Sequence, residues 1–246
     1  MTFVFATAMF LLESLIDVFK TEVETIASTA AAASSGWMQN QLKLFQYDVI
    51  TPQIVQLINF APSYPVVDAS KRIISRASVV TTLAGNSIIK LATSEPPQAL
   101  SALQLSAAQS YVNAIGATVS YLCVSSPADQ IYINADVYYQ GQYSAIIKQS
   151  VIDAINNYLA NFSNVSFNGA LKVSDIETTI KNVTGVNDSV LRNVITRSDA
   201  TPFANGTYLV QNSQYISRIY SSQAGYIVSE TTTSHTLADS LNFIAQ

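Results

Sequence analysis

The side chains that could most directly support catalysis or metal binding in this chain of 246 residues are Asp129, Asp136, Cys123 and His235. The two aspartates lie near one predicted strand, and acid–base chemistry would require their carboxylates to be within reach of each other. Their odd spacing instead places them on opposite faces of a regular strand. Because the chain has one cysteine and one histidine, it cannot build a Cys/His metal site by itself. We therefore predict no catalytic residue, no metal and no cofactor.

Motifs typical of enzymes do not occur in the sequence. There is no G-x-S-x-G nucleophile turn, no G-x-x-x-x-G-K-[ST] phosphate loop, no H-E-x-x-H zinc pair and no G-x-G-x-x-G dinucleotide loop. We interpret Cys123 as a small buried hydrophobic residue and His235 as a tail residue. The sequence therefore predicts a protein that is not an enzyme, and a small enzyme with an unfamiliar site stays as an alternative.

The composition favours a surface that other proteins cover. Asp, Glu, Lys and Arg make up 11% of the residues and apolar types 49%, whereas charged residues form roughly a quarter of an average domain. Such a surface costs little to desolvate when a partner binds. The net charge is −4, and we interpret the one cluster of cations, Lys71, Arg72 and Arg76, as a solvated face. Direct nucleic-acid binding is therefore not expected.

The first residues predict neither a signal peptide nor a membrane span. No basic residue precedes the apolar run, and Glu13 and Asp17 interrupt it far short of the ~18 apolar residues that a spanning helix needs. We expect a protein made in a cytoplasm, without insertion into a membrane.

A long N-terminal helix is predicted from apolar residues that recur in alternating steps of four and three. These residues are Leu12, Ile16, Phe19, Val23, Ile26, Ala30, Ala33 and Trp37. The sequence Ser34-Ser35-Gly36 weakens or ends the helix. One apolar row needs a partner, which is either the core of the same domain or a second chain. In the second case the candidate interface residues are Leu12, Ile16, Phe19, Val23, Ile26 and Trp37.

The middle of the chain predicts a β-hairpin followed by a helix. Two β-rich runs, residues 78–83 and 87–92, flank a turn at residues 84–86. The helix is expected over roughly residues 98–115 and ends at Gly116. Its apolar face is predicted to consist of Leu100, Leu103, Ala107, Tyr111 and Ile115.

Two strands and an amphipathic helix are predicted next. The strands cover residues 118–126 and 129–139, and the second alternates as a half-buried strand does. Its predicted buried face is Ile131, Ile133, Ala135, Val137 and Tyr139. The helix carries apolar residues at helical spacing, namely Ile147, Val151, Ala154, Ile155, Tyr158, Leu159 and Phe162.

Five residues beyond this helix are predicted to shape turns and caps. Asn168 and Gly169 form the strongest short hairpin signal in the sequence. Ser174 and Glu177 fit a capping box at the start of a short helix that turns Ile176 and Ile180 inward. Gly185 is predicted to need a positive φ, and residues 189–196 return as a strand.

The fold class expected from these elements is α+β. It comprises the long N-terminal helix, the β-hairpin plus helix, and a compact strand-helix-hairpin-helix-strand C-terminal unit. The predicted regions are 1–64 for the helical assembly region, 65–118 for the hairpin and helix, 119–200 for the α+β unit, and 201–246 for a polar β extension.

The run "VSSPADQIYINADVYYQGQYSAIIKQSVIDAINNYLANF", followed by "FNGALKVSDIETTIKNVTGVND", resembles the C-terminal domain of the baseplate J-like family. These are wedge proteins of phage tail baseplates and related contractile injection devices. The likeness rests on the order of a strand with a Tyr-rich turn, a helix ending in Asn-Tyr-Leu, an aromatic-Asn-Gly turn, a Ser-Asp-Ile-Glu helix start and an Asn-Val-x-Gly-Val step. It covers about a third of the chain.

The resemblance implies a structural role and no catalytic residues. The expected partners are further copies of this chain and other tail baseplate proteins, arranged around the tail tube. The expected location is the tail baseplate of the virion, after synthesis in the cytoplasm of a bacterial host. A receptor-binding or adhesin-type tail component is the alternative within the same particle, suggested by the Tyr, Asn, Ser and Thr content and by N-x-[ST] sequons.

Overall fold

The computed structural model describes residues 2–30, 34–58, 61–81, 87–116 and 120–246, with the side chains of 2–8, 24–30 and 164–165 left aside. Within these residues the chain forms six α-helices and thirteen strands, so the α+β class predicted from the sequence is confirmed. The helices are α1 Thr2–Ala30, α2 Ser35–Lys43, α3 Ala102–Ile115, α4 Ile147–Val165, α5 Val173–Lys181 and α6 Leu237–Ser240. The strands are β1 Gln56–Ile58, β2 Ala61–Ser63, β3 Ile74–Thr81, β4 Ser87–Thr93, β5 Tyr121–Val124, β6 Asp129–Tyr139, β7 Ala170–Lys172, β8 Val186–Arg197, β9 Thr207–Gln211, β10 Gln214–Tyr215, β11 Ile219–Ser221, β12 Ile227–Ser229 and β13 Leu241–Ala245.

A three-stranded sheet organises the N-terminal part of the fold. Strands β3 and β4 pair antiparallel as the predicted hairpin, whose turn at residues 84–86 lies outside the described residues. Strand β5 then pairs parallel with β4. Helices α2 and α3 cover this sheet, and their buried residues form one apolar core that includes Met38, Leu42, Ile89, Leu91, Tyr111, Val112 and Cys123.

Helix α3 begins later than predicted, whereas Leu100, Ala107, Tyr111 and Ile115 of the predicted apolar face contact the N-terminal core. It starts at Ala102, because the Ser101 hydroxyl accepts a hydrogen bond from the Gln104 backbone N–H and the Gln104 side chain reaches back to Ser101 N. Leu103, predicted on the apolar face, is 73% exposed, and the buried residues of the helix are Ala108, Tyr111 and Val112. Gly116 ends the helix as expected.

A six-stranded sheet organises the C-terminal part. Its order is β10-β9-β8-β6-β12, and β13 also pairs with β6. Strand β6 alternates as predicted, with Ile131, Ile133, Ala135 and Val137 completely buried. The strands β12 and β13 run parallel to β6, which pairs antiparallel with β8 on its other side.

Helices α4 and α5 pack on this sheet and complete a second core. On α4 the predicted apolar positions point inward: Ile147, Val151, Ile155 and Leu159 are at most 2% exposed. On α5 the buried pair Ile176 and Ile180 confirms the predicted inner face. This core also includes Leu209, Val210, Ile227, Leu237 and Leu241.

The two cores divide the chain differently from the predicted regions. Cys123 on β5 belongs to the N-terminal core, whereas residues 119–200 were predicted as one unit. The segment predicted as a polar extension, 201–246, supplies five strands and part of the C-terminal core. A small cluster of Ala92, Ala224 and Tyr226 connects the two parts.

A half-buried lysine also joins the two parts. Lys90 on β4 donates hydrogen bonds from Nζ to Asn168 Oδ1 at 2.6 Å and to the Ser222 carbonyl oxygen at 2.7 Å. Burial lowers the pKa of Lys90, and the nearby charge of Asp129 opposes that shift. The contact therefore ties the N-terminal sheet to the turn after α4.

Candidate assembly surfaces

Helix α1 carries most of the candidate interface residues, and it is uncovered where its side chains are described. Every side chain from Met9 to Val23 is exposed. Leu12, Ile16, Phe19 and Val23 are 52%, 55%, 65% and 46% exposed and lie along one side of the helix. The helix forms because residues 2–30 contain no proline or glycine and many strong helix formers.

The last two candidate interface residues fall elsewhere. The side chain of Ile26 lies outside the described residues. Trp37 does not continue the apolar row of α1, because it belongs to a separate helix, α2, whose first turn is capped by the Ser34 hydroxyl. Trp37 is half-buried and packs against the N-terminal core. Trp37 therefore does not share a helix with the other candidate residues, and its assignment to an interface stays a prediction.

The apolar surface of α1 is wider than the predicted row. Phe10, Leu11, Leu15 and Val18 are 66%, 62%, 66% and 55% exposed. The row predicted from the sequence omits these residues, although Leu11, Leu15 and Val18 repeat the same steps of four and three. Soluble proteins rarely leave so large a continuous apolar surface bare, and such surfaces mark interaction sites.

A groove beside the N-terminal core is a second uncovered apolar surface. Its volume is about 330 Å³, and its floor contains Tyr64 and Tyr111, whose rings stack with centroids 5.9 Å apart. Their hydroxyls are used internally, since Tyr111 donates to the Gln41 carbonyl and Tyr64 accepts from Gln46 N–H. Burial raises the pKa of both tyrosines. The groove thus offers apolar area rather than a reactive group.

The two aspartates considered for catalysis lie on opposite faces of β6, as predicted. Asp129 is 1% exposed and accepts hydrogen bonds from Tyr220 Oη at 2.7 Å and Gln223 N at 2.6 Å. Asp136 lies on the outer face and accepts from Arg192 Nε at 2.8 Å. Burial raises the pKa of Asp136, but hydrogen bonds from Asn242 and Arg192 outweigh it, so the pKa lies below its usual range. Both carboxylates therefore hold structure together.

A buried ion pair links β8 to the end of β12. Arg197 Nε donates to Glu230 Oε2 at 2.7 Å, and the two side chains are 9% and 1% exposed. Burial raises the pKa of Glu230, yet hydrogen bonds from Arg197 and Thr232 lower it overall to about 2. Both partners are otherwise hydrogen-bonded, as buried charges must be.

The predicted turn at Asn168 and Gly169 exists, but it is not a hairpin. Helix α4 continues to Val165, and β7 pairs with β11. Asn168 adopts φ +63° and its N–H donates to the Gly225 carbonyl. A Cβ on Gly169 would lie 2.6 Å from the Ser166 carbonyl oxygen, so only glycine fits there. The hairpin prediction is therefore wrong, because the residues before the turn are helical.

The predicted capping box at Ser174 and Glu177 is also wrong. Strand β7 runs directly into α5, so Lys172 is the N-cap and no side chain caps the helix. Ser174 Oγ lies 3.3 Å from Asp175 Oδ1. Glu177 instead contacts Tyr215, whose pKa is raised by burial and by a hydrogen bond to that carboxylate.

Gly185 has the positive φ that the sequence predicts, +94°. Its carbonyl accepts a hydrogen bond from Gln140 N at 2.9 Å. A Cβ at this position would come within 2.5 Å of the Tyr143 ring. Both the backbone and the close approach therefore require glycine between α5 and β8.

Cys123 and His235 are not placed together. Cys123 is buried, and burial raises its pKa to about 12, as expected of an inert thiol. His235 packs on the ring of Phe203 at a centroid distance of 3.8 Å. Within the described part of the chain, no three His, Cys, Asp or Glu side chains gather as a metal site would require.

Comparisons with known proteins find no matching family model and no matching curated protein. Among the described residues, no helix combines the length and the apolar character that crossing a membrane requires.

Proposed function

We propose that this chain is a structural subunit of a phage tail baseplate, of the wedge type, that joins copies of itself and neighbouring tail proteins around the tail tube. It is synthesised in the bacterial host and works as part of the virion. It has no catalytic role in this proposal, and its partners are proteins.

The observation that carries the proposal is that every side chain of α1 from Met9 to Val23 is exposed. A large apolar side chain gains roughly 1.5–3 kcal/mol when it is fully buried, and nine such side chains on this helix are about half exposed or more. An isolated helix also loses most of the stabilisation that packing provides. When another chain covers α1, its apolar side chains are buried and the helix is stabilised by packing.

The C-terminal part supports a docking role of a different kind. Its apolar core is buried between the sheet and the helices, and two of its ion pairs, Arg197–Glu230 and Arg192–Asp136, form within the fold. The order of β6, α4, the Asn168 turn, α5 and β8 is the order in sequence on which the resemblance to the J-like family rests. We assign this part to rigid contact with other baseplate proteins.

Sizing of the purified chain by light scattering tests the assembly step. The native chain should be oligomeric, and the double change Phe19→Asp and Val23→Asp should give monomers with an unchanged near-ultraviolet spectrum. A matched control, Ile216→Asp with Ile219→Asp, replaces residues that are 60% and 53% exposed in the C-terminal part. The control should stay oligomeric. A monomeric native chain, or an oligomeric Phe19/Val23 variant, would contradict the proposal.

Imaging of the native particle tests the location. Electron microscopy of phage particles labelled with an antibody fragment against this chain should show density at the baseplate end of the tail. Label at the fibre tips would favour a receptor-binding component. Label on the capsid would exclude both the baseplate subunit and the receptor-binding component.

A further inference from the structure

A second row of exposed apolar residues runs along α1 beside the predicted row. The first row is Leu12, Ile16, Phe19 and Val23, and the second row is Leu11, Leu15 and Val18. Both rows advance in steps of four and three, which is the spacing of a coiled-coil seam. At 100° per residue the centres of the two rows are about 100° apart around the helix. Together they cover roughly half of its circumference.

The charged residues of the described segment lie outside this double apolar face, apart from Glu22. Glu13, Asp17 and Lys20 occupy the opposite side of the helix, and Glu22 ends the second row. A helix that lies on an anionic membrane usually carries Lys and Arg along its polar side. Because α1 is mostly acidic there, its charge disfavours a lipid surface and favours a protein.

The exposed area indicates how many neighbours the helix needs. The seven large apolar side chains of the two rows are 46–66% exposed. At ~150–200 Å² of accessible surface for each such side chain, they present roughly 700 Å², close to what one partner buries in a standard interface. A single neighbouring helix would cover one row and leave the other in water. Two neighbours, one on each row, cover both.

We propose that α1 packs against two further copies of itself, with the first row of each helix against the second row of the next, in a closed parallel bundle. This inference rests on the proposed assembly function and names the partner of that surface. A contact between two different rows is heterologous, so it passes from copy to copy and ends only when a ring closes. An ordinary paired coiled coil would instead join first row to first row.

Cross-linking of single cysteines distinguishes the two arrangements in the full-length chain. The native thiol of Cys123 is buried with a raised pKa, so it gives little background. Ile16→Cys marks the first row and Val18→Cys the second, about 3 Å apart along the axis. A mixture of the two variants should give cross-linked dimers with a short thiol-reactive linker, whereas each variant alone should not. Asp17→Cys mixed with Ile16→Cys is the control and should stay uncross-linked.

Two further variants complete the test. The double variant Ile16→Cys with Val18→Cys should give a ladder of products ending in one closed species. Leu15→Asp should convert the oligomer to monomers as completely as Phe19→Asp does. Cross-linking of Ile16→Cys alone, or an oligomer that survives Leu15→Asp, would overturn the two-row arrangement while leaving self-assembly intact. A native chain that is monomeric by light scattering would overturn both proposals together.

Discussion

Helices α1 and α4 have the same kind of sequence and opposite surroundings. Each has an apolar side with helical spacing, and α4 buries Ile147, Val151 and Ile155 to within 1% of complete burial. The corresponding residues of α1 are about half exposed. The difference arises because the six-stranded sheet lies under α4, whereas in the described part of the chain every side chain of α1 from Met9 to Val23 is exposed. Amphipathic spacing thus shows that a helix needs a partner, and only the fold shows whether the same chain supplies it.

The largest expected difference between these helices is in core stability. Ile155→Ala should lower the free energy of unfolding by about 2–5 kcal/mol, because it leaves a cavity under α4. Ile16→Ala on α1 should change it by no more than about 0.5 kcal/mol in the isolated subunit, since Ile16 is exposed. Urea unfolding of both variants, on a monomeric background, measures the difference. Equal losses would mean that α1 folds back onto the subunit.

The next effect concerns the turn that positions α5. Gly185→Val should destabilise the protein by about 3 kcal/mol, because it combines a positive φ with contact against the Tyr143 ring. Gly141→Val is the matched control, since a Cβ at Gly141 meets nothing within 4 Å. Thermal unfolding by circular dichroism compares them. Normal stability of the Gly185 variant would refute the turn.

A smaller effect, dependent on pH, is expected at the buried ion pair. Glu230 has a folded-state pKa of about 2 against an ordinary value of 4.5. Its contribution is therefore complete above about pH 4.5 and is lost as the pH falls towards 2. Glu230→Gln should cost about 1.5–3 kcal/mol at pH 7, and this difference from the native protein should shrink across that interval. Unfolding measured from pH 7 to pH 2.5 tests it, and a constant difference would contradict it.

The smallest effect separates an observed helix cap from a predicted one. Ser101→Ala should cost about 1 kcal/mol, because its hydroxyl caps α3. Ser174→Ala should change stability by less than about 0.5 kcal/mol, because no side chain caps α5. Chemical unfolding of the two variants side by side measures both, and the reverse order would restore the capping box predicted at Ser174.

The elements that sequence predicted best were those with long, regular patterns. The alternation along β6 and the helical spacing along α4 each repeat often enough to define a buried side, and both are confirmed. Gly185 was also predicted correctly, because few residues besides glycine tolerate a positive φ. Short motifs were less reliable. The Ser101–Gln104 cap has the same S-x-x-[EQ] form as the Ser174 motif, and only the position of the helix start distinguishes them.

Long-range pairing could not be predicted from local patterns. Nothing near β5 in the sequence shows that it pairs with β4 rather than joining the sheet of β6. The strands β12 and β13 are short, and they pair with a strand far away in the sequence: Ile227 pairs with Asp129 and Leu241 with Ala135. At the candidate site, the first row of α1 was predicted, whereas the placement of Trp37 in a separate helix, α2, against the N-terminal core was not.

The place of β13 has a consequence for how the protein is made. The Ser240 hydroxyl donates to the Ile133 carbonyl, 107 residues earlier in the chain, and β13 then lies along β6. Contacts between residues so distant in sequence form slowly and only after both have left the ribosome. Helix α1 is synthesised long before that moment, with its apolar side chains already in water. In the proposed assembly, neighbouring copies on the same polysome would shield these side chains, so the proposal predicts that assembly begins during translation.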